Sequence, residues 1–187
     1  MKIIIMTPMP VEHEKMTLAL AEIGGGSHKY EVVVSGIGRE QTAKTFMNLP
    51  PHDVCVLLGF GAIVGVAEQL PPTLHLGMPV EITQASLYGY EGGLFENGAP
   101  LVAPARLDVP GLQSLTSDKF VRTTDLAVQT VVNMEDYTFM YLKKPQDFIV
   151  RVISDFLPHN TAIDFFEEVA PISFVPALEA LERYFAL

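Results

Sequence analysis

Residues 148 to 156 of the chain read FIVRVISDF. Six of these nine residues are apolar and branched side chains are frequent among them, a pattern typical of a β-strand that is covered on both faces. A buried strand does not tolerate an isolated charge, yet Arg151 lies inside this one, and Ser154 and Asp155 come at its end. The stretch therefore predicts a buried strand together with a polar site at its carboxyl end.

Apolar runs of the same kind recur along the chain and alternate with helical patterns. The predicted strands are residues 2–6, 30–35, 54–59, 79–83 and 148–154. The predicted helices are residues 11–22, 39–49, 126–142 and 163–185, the last one interrupted by Pro171 and Pro176. This alternation predicts one α/β domain over residues 1–187, with a largely parallel, twisted sheet. The Gly- and Pro-rich stretch 87–115 shows no clear period and is predicted to be a long loop or a short hairpin region.

The composition narrows the classes of partner. The formal charge of −10 and the lack of any Lys/Arg-rich run argue against nucleic acid or an anionic membrane surface, since both are bound through basic patches. The single cysteine, Cys55, excludes an intrachain disulfide and is predicted to be a buried core residue. The first ten residues, MKIIIMTPMP, resemble neither a signal peptide nor a membrane span. We therefore expect a cytoplasmic protein whose partner is a small molecule.

The sequence offers no recognisable metal or cofactor motif. Its five histidines, His13, His28, His52, His75 and His159, show no metal-ligand spacing. It contains no G-x-G-x-x-G, no P-loop and no G-x-S-x-G. We therefore predict a protein without a metal or a cofactor.

Three acidic residues are predicted to meet at one edge of the sheet. Asp155 closes the strand quoted above, Glu12 follows the first strand, and Glu135 lies in the segment VVNMED. Ligands of open α/β sheets bind at the carboxyl ends of the strands, so these carboxylates are expected to line one site. Two glycine-rich segments, SGIG at 35–38 and GFGA at 59–62, are predicted to be turns that bring backbone N–H groups near a ligand.

These motifs, taken in order, resemble the purine nucleoside phosphorylase/nucleosidase superfamily. The set comprises SGIG, GFGA, SDKF at 117–120, NMED at 133–136 and VRVISD at 150–155. The resemblance is closest to the 5′-methylthioadenosine/S-adenosylhomocysteine nucleosidases, and it extends from the first residues to IDFFEEVA at 163–170. It implies a three-layer α/β/α sandwich with a central mixed, largely parallel sheet, assembled as a homodimer or larger homo-oligomer. It also implies hydrolysis of the N-glycosidic bond of a purine nucleoside such as a 5′-substituted adenosine.

Catalytic roles are predicted for three residues, and for two of them the resemblance supplies the role. Glycosidic cleavage passes through an oxocarbenium-like sugar, so one group protonates the leaving base while another activates the nucleophile. Asp155 matches the acid that hydrogen-bonds the purine N7, and burial favours the protonated form that this role requires. Glu12 matches the general base that takes a proton from the attacking water. Arg151 lies four residues before Asp155, so regular alternation along the strand predicts that both side chains point to the same face, and Arg151 is expected to organise the acids.

The resemblance also implies a set of substrate-binding residues. Glu135 matches the acid that accepts hydrogen bonds from the ribose 2′- and 3′-hydroxyls, and Met134 matches the residue that packs against the sugar. Phe120 and Val121 match the purine slot, where an aromatic face stacks on the base and backbone groups bind its edge. The remaining predicted substrate-binding residues are Ser154, Gly59 and Phe60.

Other interpretations of the same residues stay open at this stage. Arg39 follows SGIG and would suit a phosphate in a phosphorylase, although SGIG resembles the hydrolases more; a solvated first-turn residue is the alternative. Glu12 could be a solvated first-turn residue favoured by the helix dipole. Asp155 could instead cap a following turn.

A non-catalytic relative is a further alternative. Phe60 replaces a small polar residue of the superfamily's glycine-rich turn, and Asp136 and Tyr137 replace the small residues that usually follow the glutamate. Bulk at these positions would narrow or fill the pocket, leaving a nucleoside-binding or structural protein.

Overall fold

A computed structural model of the chain describes residues 1–89, 99–121, 125–158 and 164–186. Part of the predicted loop region (90–98), His159 and the first residue of the last predicted helix (163) lie outside these ranges. None of the helices in the described ranges combines the length and the apolar character that crossing a bilayer requires.

Eight strands and five α-helices are formed within these ranges. The strands are β1 (Lys2–Thr7), β2 (Lys29–Val34), β3 (Val54–Val64), β4 (Pro79–Leu87), β5 (Leu101–Val102), β6 (Gly111–Thr116), β7 (Val131–Asn133) and β8 (Phe148–Leu157). The helices are α1 (Pro10–Ile23), α2 (Arg39–Met47), α3 (Asp136–Leu142), α4 (Phe165–Val169) and α5 (Val175–Phe185). All five predicted strands are present, and β3, β4 and β8 extend beyond their predicted ends.

The sheet is mixed and closes on itself. β2, β1, β3 and β8 pair in parallel, and β8 then pairs with β4 in antiparallel orientation. β4 leads through β6 and β7 back to β3, so that β3, β8, β4, β6 and β7 form a ring. Five of the eight strand pairings are parallel. The predicted α/β class is therefore confirmed, whereas the closure of the sheet was not predicted.

Helices cover both faces of the central strands. On one face, Val56 and Val150 pack in a core cluster that includes Met16 of α1 and residues of α5. On the other face, Leu57 packs in a second cluster that includes Phe139 of α3. This double coverage explains why β1, β3 and β8 are continuously apolar instead of alternating.

The helix predicted at 126–142 is wrong over its first half. Residues 131–133 form strand β7 between β3 and β6, and only Asp136–Leu142 is helical. The two valines of β7 are suited to a pleated surface, and the sheet supplies partners that a local pattern does not show. The interruption predicted at Pro176 is also wrong, because this proline lies in the first turn of α5, where a missing N–H costs nothing.

Two loop predictions also change. The GFGA segment is not a turn but part of β3, which runs without a break from Val54 to Val64. The region 87–115 contains the end of β4, the two-residue strand β5 and most of β6. The sequence of β6, GLQSLT, is rich in polar residues, which conceals a strand that the neighbours β4 and β7 complete.

Candidate active site

A cavity of about 290 Å³ opens beside β3 and β8 and is bounded by the start of α1, the β7–α3 junction and α4. Nine of the ten predicted site residues line it: Glu12, Phe60, Phe120, Val121, Met134, Glu135, Arg151, Ser154 and Asp155. The tenth, Gly59, lies directly behind this lining. A Cβ atom added at Gly59 would lie 2.7 Å from Oε1 of Glu12 and 2.9 Å from Nη1 of Arg151, so only glycine allows these two groups to approach β3.

Arg151 lies at the centre of a cluster of buried polar side chains beside the cavity, which also contains Glu12, Glu135 and Asp136. Its side chain is 1% exposed. Oδ1 of Asp136 accepts from Nε at 2.9 Å and from Nη2 at 2.6 Å. Nη2 also donates to Oε2 of Glu135 at 3.0 Å. Nη1 donates to the carbonyl oxygen of Phe60 at 3.0 Å. Burial opposes the charge of Arg151, but Asp136 and Glu135 outweigh it and raise its pKa, so it stays a cation. The charge inside the buried strand is therefore paired.

Asp136 and Asn133 belong to this cluster although neither was predicted to be part of the site. Asp136 is fully buried, and its Oδ2 accepts from Nδ2 of Asn133 at 2.6 Å. Oδ1 of Asn133 accepts the backbone N–H groups of Glu135 at 2.9 Å and Asp136 at 2.7 Å. Asn133 thereby starts α3 and orients both acids. An asparagine two and three residues before an acidic pair at a helix start is a side-chain turn pattern, and this signal could have identified it.

The expected obstruction by Asp136 and Tyr137 is wrong. Neither residue lines the cavity. Asp136 turns inward to Arg151, and the backbone N–H of Tyr137 donates to Oγ1 of Thr116 at 2.8 Å.

Glu12 is a buried carboxyl group at the start of α1. It is 1% exposed, so the interpretation as a solvated first-turn residue is wrong. Its Oε1 accepts the N–H of Phe60 at 2.7 Å, and its Oε2 accepts the N–H of Met9 at 2.6 Å. Burial raises the pKa of Glu12 to about 8, although the N–H of Phe60, Arg151 and the N–H of Met9 favour the ionised form.

The charge count of the cluster explains why it retains a proton. Glu135, Asp136 and Glu12 face one cation, Arg151. Both Glu135 and Asp136 are in direct contact with Arg151, whereas no direct ion pair between Glu12 and Arg151 occurs among the described residues. Three ionised carboxylates around one guanidinium would leave uncompensated buried charge, and burial raises the pKa of both Asp136 and Glu12, that of Glu12 to about 8. The cluster therefore favours protonated carboxyl groups, and Glu12, without a direct cationic partner, is one that keeps its proton at neutral pH.

Glu135 connects the cluster to the SGIG segment. Its Oε1 accepts the N–H of Gly38 at 2.9 Å, while its Oε2 accepts from Arg151. Gly38 has φ 91°, a left-handed conformation that glycine adopts without strain, and it precedes the first residue of α2. Oε2 also accepts the N–H of Met134 at 3.3 Å, so the free acceptor site of Glu135 is on Oε1, which can still receive a hydroxyl group from a ligand.

Ser154 and Asp155 lie within β8, which continues to Leu157. The interpretation of Asp155 as a cap of a following turn is therefore wrong. Gly61 pairs with Ile153 and Ala62 with Asp155, so Ser154 is an extra residue at a shift in register. The regular alternation from Arg151 to Asp155 that we expected is interrupted there, and such irregularities re-aim side chains next to sites. Oγ of Ser154 donates to Oδ1 of Asp155.

Aromatic side chains form much of the apolar lining. Phe60 is 5% exposed, and its ring packs edge-on against those of Phe174 and Phe165, with centroid distances of 4.9 and 6.0 Å. Phe60 therefore belongs mainly to the core and does not fill the cavity. Phe165 and Phe166 of α4 also line the cavity, and sequence reasoning assigned them no role. Phe120 is 59% exposed, which leaves its ring open to a ligand.

Two cations near the cavity differ in their surroundings. The Arg39 guanidinium donates to both carboxylate oxygens of Asp118, with Nε 2.7 Å from Oδ1, and Arg39 does not line the cavity. Arg39 is the first residue of α2 and its side chain is 39% exposed, as the interpretation as a solvated first-turn residue expects, and its donors are directed to Asp118. Lys119, which sequence reasoning missed, lines the cavity beside Phe120.

No protein-family model matches the sequence, and no curated protein is significantly similar to it. Solved structures do match across the whole chain. The fold is that of 5′-methylthioadenosine/S-adenosylhomocysteine nucleosidases. A protein described as such a nucleosidase from Borrelia burgdorferi, bound to adenine, has a TM-score of 0.76 at 13% identity, covering 98% of this chain and 99% of that chain.

Two further nucleosidases give similar values. The enzyme from Campylobacter jejuni has a TM-score of 0.69 at 17% identity and covers 99% of this chain and 98% of its own. The enzyme from Chlamydia trachomatis bound to adenine has a TM-score of 0.67 at 15% identity and covers 99% and 98%. The resemblance predicted from the motifs is thus confirmed at the level of the fold.

Proposed function

We propose that the protein is a purine nucleosidase that hydrolyses the N-glycosidic bond of a 5′-substituted adenosine, such as 5′-methylthioadenosine or S-adenosylhomocysteine. The observation that carries the proposal is the meeting of Glu12, Glu135 and Asp155 around one cavity of about 290 Å³. A cavity of this size with apolar walls and a few polar groups suits a nucleoside. The solved nucleosidases of the same fold, some of them bound to adenine, support this choice.

Asp155 is proposed as the acid that labilises the base. In its protonated form it donates to N7 of the purine while the bond between C1′ and N9 breaks, and the electron pair of that bond moves into the ring system. The hydroxyl of Ser154, bonded to Oδ1, orients the carboxyl group so that the other oxygen is directed to the base.

Glu12 is proposed as the base on the opposite face of the sugar. Water attacks C1′, and its proton passes to the ionised form of Glu12, which is the minor form below a pH of about 8. The N–H groups of Phe60 and Met9 fix both oxygens of Glu12, so the carboxylate has one orientation in which to act. Arg151 is a positioning residue in this scheme, because its donors are directed to Asp136, Glu135 and the Phe60 carbonyl.

Ribose and purine recognition follow from the remaining lining residues. Glu135 accepts the 2′- and 3′-hydroxyls, one on the unused acceptor site of Oε1 and the other on Oε2 in place of the long 3.3 Å contact from the Met134 N–H, with the Met134 side chain against the sugar. Phe120 offers an open ring face for stacking on the purine, and the backbone of Val121 offers a donor and an acceptor for its edge. Gly59 and Phe60 form the backbone floor from which Glu12 and Arg151 are held.

The test is chromatographic detection of free base from a panel of purine nucleosides, each incubated with and without phosphate. Base release without phosphate supports the hydrolase, and release only with phosphate would identify a phosphorylase. If folded protein releases no base under either condition, the hydrolase is wrong. A thermal shift with adenine would then support the non-catalytic, nucleoside-binding alternative.

Four further expectations complete the proposal. The helices on both faces of β1, β3 and β8 support a variant of the three-layer α/β/α sandwich in which part of the sheet is closed. We also propose that residues 1–187 act as one nucleosidase-like domain. Assembly as a homodimer or larger homo-oligomer and a cytoplasmic location remain predictions.

A further inference from the structure

Helix α4 forms one wall of the cavity but is very short. It spans only Phe165–Val169, and both Phe165 and Phe166 line the cavity. A helix of this length is unstable on its own, so its position depends on contacts with the rest of the molecule. At its beginning, the side chain of Asp164 accepts the N–H of Phe166 at 2.9 Å. This local cap does not attach α4 to any other element.

Lys15 of α1 attaches the other end of α4. Its Nζ donates to the carbonyl oxygen of Ala170 at 3.0 Å and to that of Ile172 at 2.7 Å. Ala170 is the C-cap of α4, a position where backbone carbonyls lack partners within the helix and a positive charge is favourable, and Ile172 lies in the segment that follows it. Burial lowers the pKa of Lys15, which agrees with an ammonium group that is partly withdrawn from water.

Lys15 and the proposed base, Glu12, both lie on α1, and each is connected to α4 by contacts. Glu12 precedes Lys15 by three residues on α1, and its Oε1 accepts the N–H of Phe60. The Phe60 ring contacts that of Phe165, 6.0 Å away, and Phe165 belongs to the helix that Lys15 holds. Glu12 and the aromatic residues of α4 are therefore connected in two ways, through Lys15 of α1 and through Phe60.

We propose that Lys15 is a positioning residue that holds α4 against the cavity and thereby sets the affinity for the substrate. Lys15 does not line the cavity, so it acts through α4 and not by touching the substrate. Val169 and Ile172 are buried in the core and keep α4 attached at a basal level. Loss of the ammonium group is therefore expected to loosen the wall without unfolding the protein. The kinetic part of this inference rests on the proposed nucleosidase function.

The test compares Lys15→Met, which keeps the aliphatic stem, with Lys15→Arg, which keeps a donor and a charge. The control is Lys29→Met, which removes an exposed lysine of β2 and the same charge. With 5′-methylthioadenosine, Lys15→Met is expected to raise KM about fivefold or more and to change kcat less than about twofold, because the chemical groups stay in place. Lys15→Arg is expected to have a KM close to that of the parent protein. Lys29→Met is expected to leave both KM and kcat unchanged.

A second measurement does not depend on catalysis. Hydrogen exchange of the backbone amides of residues 164–172 is expected to be faster in Lys15→Met than in the parent protein, while exchange in α5 stays the same. Unchanged exchange at 164–172 would overturn the proposal, as would an unchanged KM in an active Lys15→Met variant. A parent protein that releases no base would overturn the nucleosidase function alone, because the exchange measurement would still decide the role of Lys15.

Discussion

Arg151 and Asp136 lie against each other in the interior, with two nitrogens of the guanidinium within 2.9 Å of one carboxylate oxygen and neither side chain more than 1% exposed. A buried pair of this kind is costly to break from one side, because the remaining charge has no water to solvate it. The pair therefore makes the polar cluster a structural requirement as well as a candidate catalytic feature.

Asp136→Asn is expected to lower the free energy of unfolding by about 3–5 kcal/mol, since it leaves the Arg151 charge with Glu135 as its one direct carboxylate partner. Denaturant titration measures the change. Asp118→Asn is the control, because its bond to Arg39 is mostly exposed and is expected to be worth less than about 1 kcal/mol. Equal effects of the two substitutions would show that the buried pair has no special role.

Glu12 is expected to make the protein less stable as the pH rises. Its folded-state pKa of about 8 lies above the ordinary value of 4.5, so the folded protein keeps a proton that the unfolded chain has already lost. The stability contributed by the neutral form is fully present below about pH 4.5 and is lost progressively up to about pH 8. By linkage this amounts to about 5 kcal/mol.

The measurement is the free energy of unfolding between pH 4 and pH 9 for the parent protein and for Glu12→Gln, which has no proton to lose at this position. The variant is expected to show a flatter decline, and Glu14→Gln, at an exposed position of the same helix, is expected to follow the parent. Parallel curves for the parent and Glu12→Gln would contradict the raised pKa.

Sequence patterns predicted the central strands better than the peripheral ones. β1 and β8 were recognised because helices cover both of their faces, which makes their sequences continuously apolar. β7 has only three residues and precedes a helix directly, so its two valines were absorbed into a longer helical pattern. Its identity as a strand comes from its neighbours β3 and β6, which are far away in the sequence.

Glu12 was predictable because it follows β1, Asp155 because it lies near the carboxyl end of β8, and Glu135 because its NMED motif resembles the nucleosidases. The partners of these acids were not. Asp136 and Asn133 belong to the site because they contact Arg151 directly or through each other, and Arg151 lies on a distant strand. The register shift between Gly61 and Ala62 depends on how β3 and β8 pair. Lys15 acts at a distance of 155 residues along the chain, which no local pattern indicates.

Gly59→Ala is expected to lower stability by about 1–3 kcal/mol and to weaken adenine binding, because the new methyl group would lie 2.7 Å from Oε1 of Glu12 and 2.9 Å from Nη1 of Arg151. Thermal unfolding with and without adenine measures both effects. Gly111→Ala is the comparison, since its added Cβ would lie 3.1 Å from a side-chain carbon of Thr83, a contact that is tight but less severe, and it is expected to lower stability less. A Gly59→Ala variant that behaves like the parent would contradict the close approach.

Glu135→Gln is expected to raise KM for 5′-methylthioadenosine more than it lowers kcat, because an amide accepts hydroxyl groups on one atom only. Steady-state kinetics measures the two constants, with Glu40→Gln at an exposed position of α2 as the control. A pure loss of kcat with unchanged KM would show that Glu135 does not hold the ribose.

The release of adenine from 5′-methylthioadenosine in phosphate-free buffer, compared between the parent protein and Asp155→Asn, tests the central claim most directly. Asparagine keeps the size of the side chain but has no carboxyl proton to share with N7. The proposed mechanism predicts release by the parent protein and a rate lower by about two orders of magnitude or more in the variant. Equal rates in the two proteins, or no release by folded parent protein, would contradict it.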